Sequence, residues 1–360
     1  VETLRHVFGW ALRNSWEASL LILLALACQR VFRGRFDARW RGRLWLLVAL
    51  RLALPAGPES GLSVFNYSWL NLPPPVASAL AADTKSSAAS DRDQRYVGCA
   101  EASVSRPGAF AVTHGVTGRR SVPGWAGAKL RSLAPWATIG WAVVVVGLAL
   151  RAVGQNLRLA ARIRERCELY DRDLLNVLRE CARALGLRRL PEVIELEGIE
   201  GPALYGCWRP RVLLPQGMSA RLTRAELRQV FLHELAHIRR CDMAVNWLTT
   251  ALRVAHWFNP LVALAFRRLA EDRELACDTL ALSVANPAER VLYGETLLKL
   301  HAWRWQRGPL AGVVGILNDQ SQIARRVRNI ADANQRRASA GWPIFLLATL
   351  GCLTLTEAES

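Results

Sequence analysis

Thr223–Asp242 reads TRAELRQVFLHELAHIRRCD, and its reading decides what kind of domain this chain builds. Thr223 and Glu226 have the spacing of a capping box, in which the hydroxyl accepts from an otherwise unpaired N–H and the Glu reaches back. The helix this predicts runs on through FLHELAHIRR. Within it His233, Glu234 and His237 form H-E-x-x-H. Residues four apart share a helix face, so both imidazoles can grip one zinc ion while the Glu beside the first sits next to a metal-bound water. The bland alternative is a helix whose histidines make core hydrogen bonds.

A zinc site of this kind needs a third protein ligand and an open position. A third His six residues on is excluded, because position 243 is Met and the next His is His256. Downstream, after a break predicted at Asn259-Pro260, a second helix carries EDRELACD from Glu271 to Asp278. Glu274 and Asp278 share a face, so one can ligate zinc while the other accepts the distal N–H of a ligating imidazole. The result is a helix-loop-helix zinc site with Glu as third ligand. Glu271 is the nearby rival, and a salt bridge to Arg268 or Arg273 is the competing use of Glu274. Asp242 is expected to anchor a helix end, and His256 to be a hydrogen-bonded structural residue. His301, Tyr293 and Tyr205 are all candidates to stabilise a tetrahedral oxyanion. Arg325-Arg326 reads as a solvated or lipid-facing basic cluster rather than a processing site.

Around this pair of helices the pattern is mixed. Residues 173–185 have apolar side chains at helical spacing and stop at Gly186. Val193–Leu196 and Ala203–Leu214 read as strands, the second broken at Gly206 and turning as a hairpin around Arg209-Pro210. Its edge is a candidate for adding an extended substrate, weighed evenly against an ordinary buried hairpin.

The 360 residues are 51% hydrophobic with 14 Trp, a composition that places part of the chain in a bilayer. Four apolar stretches approach the roughly 20 residues that a spanning helix requires. They run from Trp16 to Phe32, Leu44 to Ala56, Ala134 to Leu150 and Trp342 to Leu355. Residues before the first read as an amphipathic lead-in rather than a cleaved signal. Arg51, inside the second, requires a partner helix or snorkelling. Arginines crowd the 30–43 loop, follow the third span and precede the fourth, which by the positive-inside rule puts those flanks in the cytoplasm.

The expected organisation is two spans joined by a basic cytoplasmic loop in 1–56, an extracytoplasmic, largely disordered loop in 57–133, and a third span in 134–151. A cytoplasmic metallopeptidase domain then occupies 152–341, with a fourth span and short tail in 342–360. The net charge of +17 (47 Lys+Arg against 30 Asp+Glu) is explained by these flanks, with no direct nucleic-acid contact and the lipid bilayer as partner. Eight cysteines scattered singly exclude a disulfide framework and thiolate zinc sites.

LTRAEL, HELAHIRRCD, HWFNPL, RELACD and GCWRPRVLLP together resemble the membrane metallopeptidases of the beta-lactam sensor-transducer (BlaR/MecR-type) group, a gluzincin branch. The resemblance implies a mainly α membrane protein of four transmembrane helices, with a cytoplasmic α+β gluzincin-type zinc peptidase domain between the third and fourth. It implies Zn2+ on His233, His237 and Glu274, Glu234 as catalytic base, and Asp278 behind the ligands. The implied substrate is a cytoplasmic protein such as a transcriptional repressor, or the chain itself, and a homodimer is a compatible assembly. The group's penicillin-binding domain is not matched: none of the three lysines follows a Ser by three positions, so antibiotic sensing is not carried over. Competing expectations are a membrane quality-control zinc protease and a catalytically silent transducer.

Overall fold

The computed structural model describes residues 2–31, 38–54, 124–165, 171–306 and 314–332. The predicted fourth span and nearly all of the predicted 57–133 loop lie outside them. Among the described residues two helices are long and apolar enough to cross a membrane, within Glu2–Val31 and Pro135–Arg164.

Helix α1 is Glu2–Val31, a single unbroken run that absorbs the predicted lead-in and first span into one helix. Helix α2, Ala38–Ala53, covers most of the second predicted span but has only 16 residues. It lies against α1, and the arginine that demanded a partner finds one. Arg51 is buried, ion-paired to Glu17 and bonded to Asn14 Oδ1 at 3.0 Å. Asn14 Nδ2 in turn donates to the Leu52 carbonyl at 2.9 Å. Helix α3, Gly124–Arg164, leaves Val143 and Leu150 about two-thirds exposed (65% and 66%), the face expected of a helix solvated by lipid.

Beyond α3 come helix α4 (Arg172–Ala184) and strands β1 (Glu192–Leu196), β2 (Ala203–Tyr205) and β3 (Arg211–Pro215). Helices α5 (Arg224–Arg239), α6 (Asp242–Ala255), α7 (Pro260–Ser283), α8 (Pro287–Gln306) and α9 (Val314–Asp332) follow. The sheet order is β1-β3-β2, with β1 parallel and β2 antiparallel to β3. The hairpin turns where the sequence placed it. Gly206 sits at φ +90, and a Cβ there would lie 2.6 Å from the Arg209 carbonyl oxygen, so glycine is required.

Strand alternation sorts the sheet's side chains between two cores. Val193, Val212 and Leu214 face α4, α5 and the C-terminal half of α7, with Phe231, Leu235 and Ala281 completing that core. Ile194, Leu196 and Leu213 face the other way and are capped by Ile163 at the end of α3. A third core joins α1 and α2 to α6 and α7 through Ile22, Trp45, Val48, Leu252, Val262 and Phe266.

Removing one partner of a buried ion pair strands the other charge, at a cost of about 3–5 kcal/mol. Arg51→Ala is therefore expected to lower the thermal midpoint of the protein in lipid nanodiscs. The Glu17→Leu/Arg51→Met double variant should recover most of that loss. An unchanged midpoint for the single variant would show that the pair contributes nothing.

Candidate metal centre

Helix α5 begins as its sequence requires. Thr223 Oγ1 accepts from Glu226 N at 3.2 Å while the Glu226 carboxylate accepts from Thr223 N at 2.8 Å. Leu227, Val230, Phe231 and Leu235 are drawn into the sheet-side core, which turns His233 and His237 toward α7. The helix ends at a sharp corner: Cys241 adopts φ 56, the one non-glycine residue with positive φ among those described. That left-handed residue, disfavoured by roughly 1–2 kcal/mol, lets α6 start at once with Asp242 folded back against His237.

Helix α7 is set by Asn259, whose Oδ1 accepts from Leu261 N and Val262 N, followed by Pro260 in the first turn. Four turns on, its polar face meets α5. His233 Nε2 and His237 Nε2 are 3.3 Å apart, and the Glu274 carboxylate lies 3.4 Å from the first and 3.7 Å from the second. Two ligands about 2.05 Å from one tetrahedral ion would be separated by roughly 3.3 Å. The two imidazole nitrogens and the Glu274 carboxylate, Oε2 toward His233 and Oε1 toward His237, thus lie near the spacing that a small divalent cation imposes.

Each ring is held from behind. His233 Nδ1 lies 3.2 Å from Asp278 Oδ1 and 2.9 Å from the Tyr293 hydroxyl, which itself donates to Asp278 Oδ1 at 2.7 Å. His237 Nδ1 meets Asp242 Oδ2 at 2.8 Å. With each Nδ1 placed against a carboxylate, both Nε2 atoms face Glu274, the arrangement that frees them as ligands once a metal displaces their protons.

Electrostatics around the centre are strongly coupled. Burial works against the charge on Glu274, but its bond with His233, the charge of His237 and Arg326 hold the carboxyl down at about 2. Burial likewise opposes the Asp278 anion, and Arg326 overcomes it, keeping the carboxyl well below its usual range. Burial alone would depress His233, yet Asp278 and Glu274 lift it to about 10. Burial and the Asp278 charge keep the Tyr293 hydroxyl protonated.

A second set of ligating atoms, His237, Asp242 and Cys277, also converges. It is the poorer metal site. Burial first, and then the Asp242 charge, push the Cys277 thiol far up, and its Sγ lies 3.2 Å from Asp242 Oδ2, where it donates as a thiol. Cys277 and Asp242 are both buried, which leaves no open position.

Glu234 is buried beside His233 and lines a cavity of about 430 Å³ with Gly201, Pro202, Gln229, His301 and Arg326. Gln229, one turn before His233, is buried with neither end of its amide hydrogen-bonded among the described residues. Of the three candidate oxyanion stabilisers, Tyr293 and His301 line the cavity. Tyr205 packs on the opposite face of the sheet with Ile163 and Leu213.

Several expectations are corrected. Arg326 is no solvated basic residue: Nε and Nη2 grip the two Asp278 oxygens at 2.8 and 2.7 Å, and Nη1 lies 3.4 Å from Glu274. Arg325 pairs with Glu271 and Asp272 at 3.1 Å each. Glu271, the rival third ligand, is thus occupied by Arg325, Arg267 and Arg268. Asp242, expected to anchor the end of α5, instead opens α6 and meets His237, a contact hidden in the sequence because it depends on the Cys241 corner. His256 is buried with neither ring nitrogen hydrogen-bonded among the described residues, contrary to the expected bonded role.

Removing the carboxylate behind a ligating imidazole typically weakens metal binding about 10–100-fold. Asp242→Ala is expected to do so here, measured by zinc competition with a chromophoric chelator. Unchanged affinity would show that the Asp242 contact does not tune the ring.

Comparison with known proteins bears on the same helices. A family model described as BlaR1 peptidase M56 matches residues 10–330. The regulatory protein BlaR1 of Bacillus licheniformis is 25% identical over 193 residues, covering 53% of this chain and 32% of that protein. The methicillin resistance mecR1 protein of Staphylococcus aureus is 29% identical over 133 residues, 37% of this chain and 23% of that protein. The matched segments therefore span a third or less of these relatives' length.

Proposed function

Because this chain belongs to the BlaR1 peptidase M56 family, we propose that it is a membrane zinc metalloendopeptidase. In this reading His233, His237 and Glu274 hold the zinc. The observation that carries it is the 3.3–3.7 Å convergence of two imidazole nitrogens and one carboxylate, with a carboxylate behind each ring. A bound zinc ion supplies Lewis acidity, polarising a peptide carbonyl and making water acidic near neutral pH.

The chain's own residues do the rest. Glu234, on the cavity side next to His233, takes a proton from the attacking water at its carboxylate and delivers it to the leaving amine. Asp278, clamped by Arg326 and Tyr293, fixes the His233 ring, and Asp242 fixes His237. Gly201 and Pro202 line the cavity and lead directly into β2, one of the two edge strands of the sheet. An extended substrate added to that edge by backbone hydrogen bonds runs past Glu234 with modest sequence preference.

The basic segments flanking the apolar helices orient the peptidase portion toward the cytoplasm. The proposed substrate is accordingly a cytoplasmic protein, with a transcriptional repressor or the chain itself as first candidates. That the Bacillus licheniformis relative is a regulatory protein favours signalling over general proteolysis.

Glu234→Gln is expected to keep about one zinc per chain while lowering peptide cleavage about 10²–10⁴-fold. His237→Ala should lose the metal. Full cleavage by the Glu234→Gln protein would end the proposal. Comparing proteomes of cells carrying the wild-type or Glu234→Gln chain separates its two forms: a few stabilised proteins mark signalling, and many mark quality control.

A further inference from the structure

Helices α6 and α7 were expected to be ordinary parts of a cytoplasmic domain, yet the 24 residues between Asp242 and Arg267 contain a single charged side chain, Arg253. We propose that α6 and the first turns of α7 form a re-entrant hairpin, inserted into the bilayer from its cytoplasmic side beside α1, α2 and α3. Its partner is the acyl chains of the lipid.

The buried side of the hairpin makes the first argument. Leu252, Val262, Ala265 and Phe266 pack into one core with Leu21, Ile22, Trp45 and Val48. The hairpin is therefore continuous with α1, one of the two helices able to cross a membrane. Its outer side makes the second. Ala244, Trp247, Leu248, Ala251, Pro260 and Ala263 are exposed, and none of them is charged.

Depth follows from three contacts between the hairpin and α1–α3. At the tip, Asn259 Nδ2 donates to Ser15 Oγ at 2.7 Å and Ser19 Oγ at 2.8 Å, midway along α1. Trp141 Nε1 of α3 donates to the Ala255 carbonyl at 3.1 Å. At the base, Asp272 meets Arg41 of α2 at 3.1 Å. From Asp272 back to Asn259 is roughly 20 Å of helix, about two-thirds of the hydrocarbon core.

Flanking residues fit that depth. Arg239 and Arg240 precede α6 at the cytoplasmic headgroups, and Arg267 and Arg268, a turn tipward on α7, reach back toward that level to pair with Glu271. Trp257 at the tip is 46% exposed within the apolar layer, and Trp136 of α3, beyond the tip, is 72% exposed, as in an aromatic belt at the far interface. Arg253, within a turn of the tip, is exposed, and its long stem carries the charge toward that interface. Asp242 and Glu274 stand at the base of the two legs, so the candidate metal centre sits at the cytoplasmic headgroup level. The hairpin itself does not depend on the centre being catalytic.

The test uses the unmodified full chain in phospholipid nanodiscs, labelled with a bilayer-soluble diazirine carbene probe and mapped by mass spectrometry. Labelling of Trp247, Leu248 and Ala251 should match that of Val143 and Val146 on α3 and exceed that of α4 by about tenfold, since only lipid-facing side chains meet the probe. An unlabelled α6 beside a labelled α3 would overturn the hairpin, whether water or a second copy of the chain covers that face. An unlabelled α3 would overturn it too, by removing the membrane premise. Neither result touches the Glu234→Gln outcome, so the hairpin and the peptidase reading fail separately.

Discussion

One helix belongs to two cores. The N-terminal half of α7 is packed through Val262, Ala265, Phe266 and Leu269 among α1, α2 and α6, and its C-terminal end contributes Ala281 and Leu282 to the core under the sheet. Between them lie Asp272, Glu274 and Asp278, the residues on which α2, α5 and α9 converge. Asn259 serves both ends of this arrangement, capping α7 with its oxygen while its nitrogen bonds the serines of α1. The spacing of Glu274 from the two imidazoles is thereby fixed by packing that begins four turns away.

The centre is also a problem in charge balance. Glu274, Asp278 and Asp242 crowd two histidines in a partly buried site. The guanidinium of Arg326, gripping both oxygens of Asp278, answers part of that negative charge. A bidentate Arg–carboxylate pair with little solvent exposure has geometric rigidity that a lysine would not supply. It makes α9 a structural member of the centre, although α9 contributes none of the three converging donor atoms.

Local signals were readable and long-range ones were not. The Thr223–Glu226 box, the Asn259-Pro260 start of α7 and the glycine-dependent turn at Gly206 are each specified within a few residues, and the structure forms all three. The spacing within each set was also legible, His233 with His237 and Glu274 with Asp278, but the expected helix-loop-helix contains a further helix, α6, so the approach of Glu274 to the imidazoles is a long-range contact. Arg51 announced a need for a partner without naming it, since Glu17 lies on another helix. In sequence, Tyr293 reads only as an oxyanion candidate and Arg326 only as part of a basic cluster, because their contacts with Asp278 depend on how α8 and α9 close over α7. Asp242 was visible five residues after His237, but a left-handed Cys241 is not something the residue type foretells.

Helix α3 runs unbroken from its apolar stretch to Arg164, and Ile163 near its end lies in the core against β1 and β3. Its segment Pro135–Arg164 has 30 residues, about 45 Å of helix. A rod of that length is a lever: tilting it by about 5° about one end carries the other through roughly 4 Å. With no break in the helix between its apolar stretch and the sheet to absorb the swing, a small rocking at one end arrives at β1 and β3 as a displacement of that size.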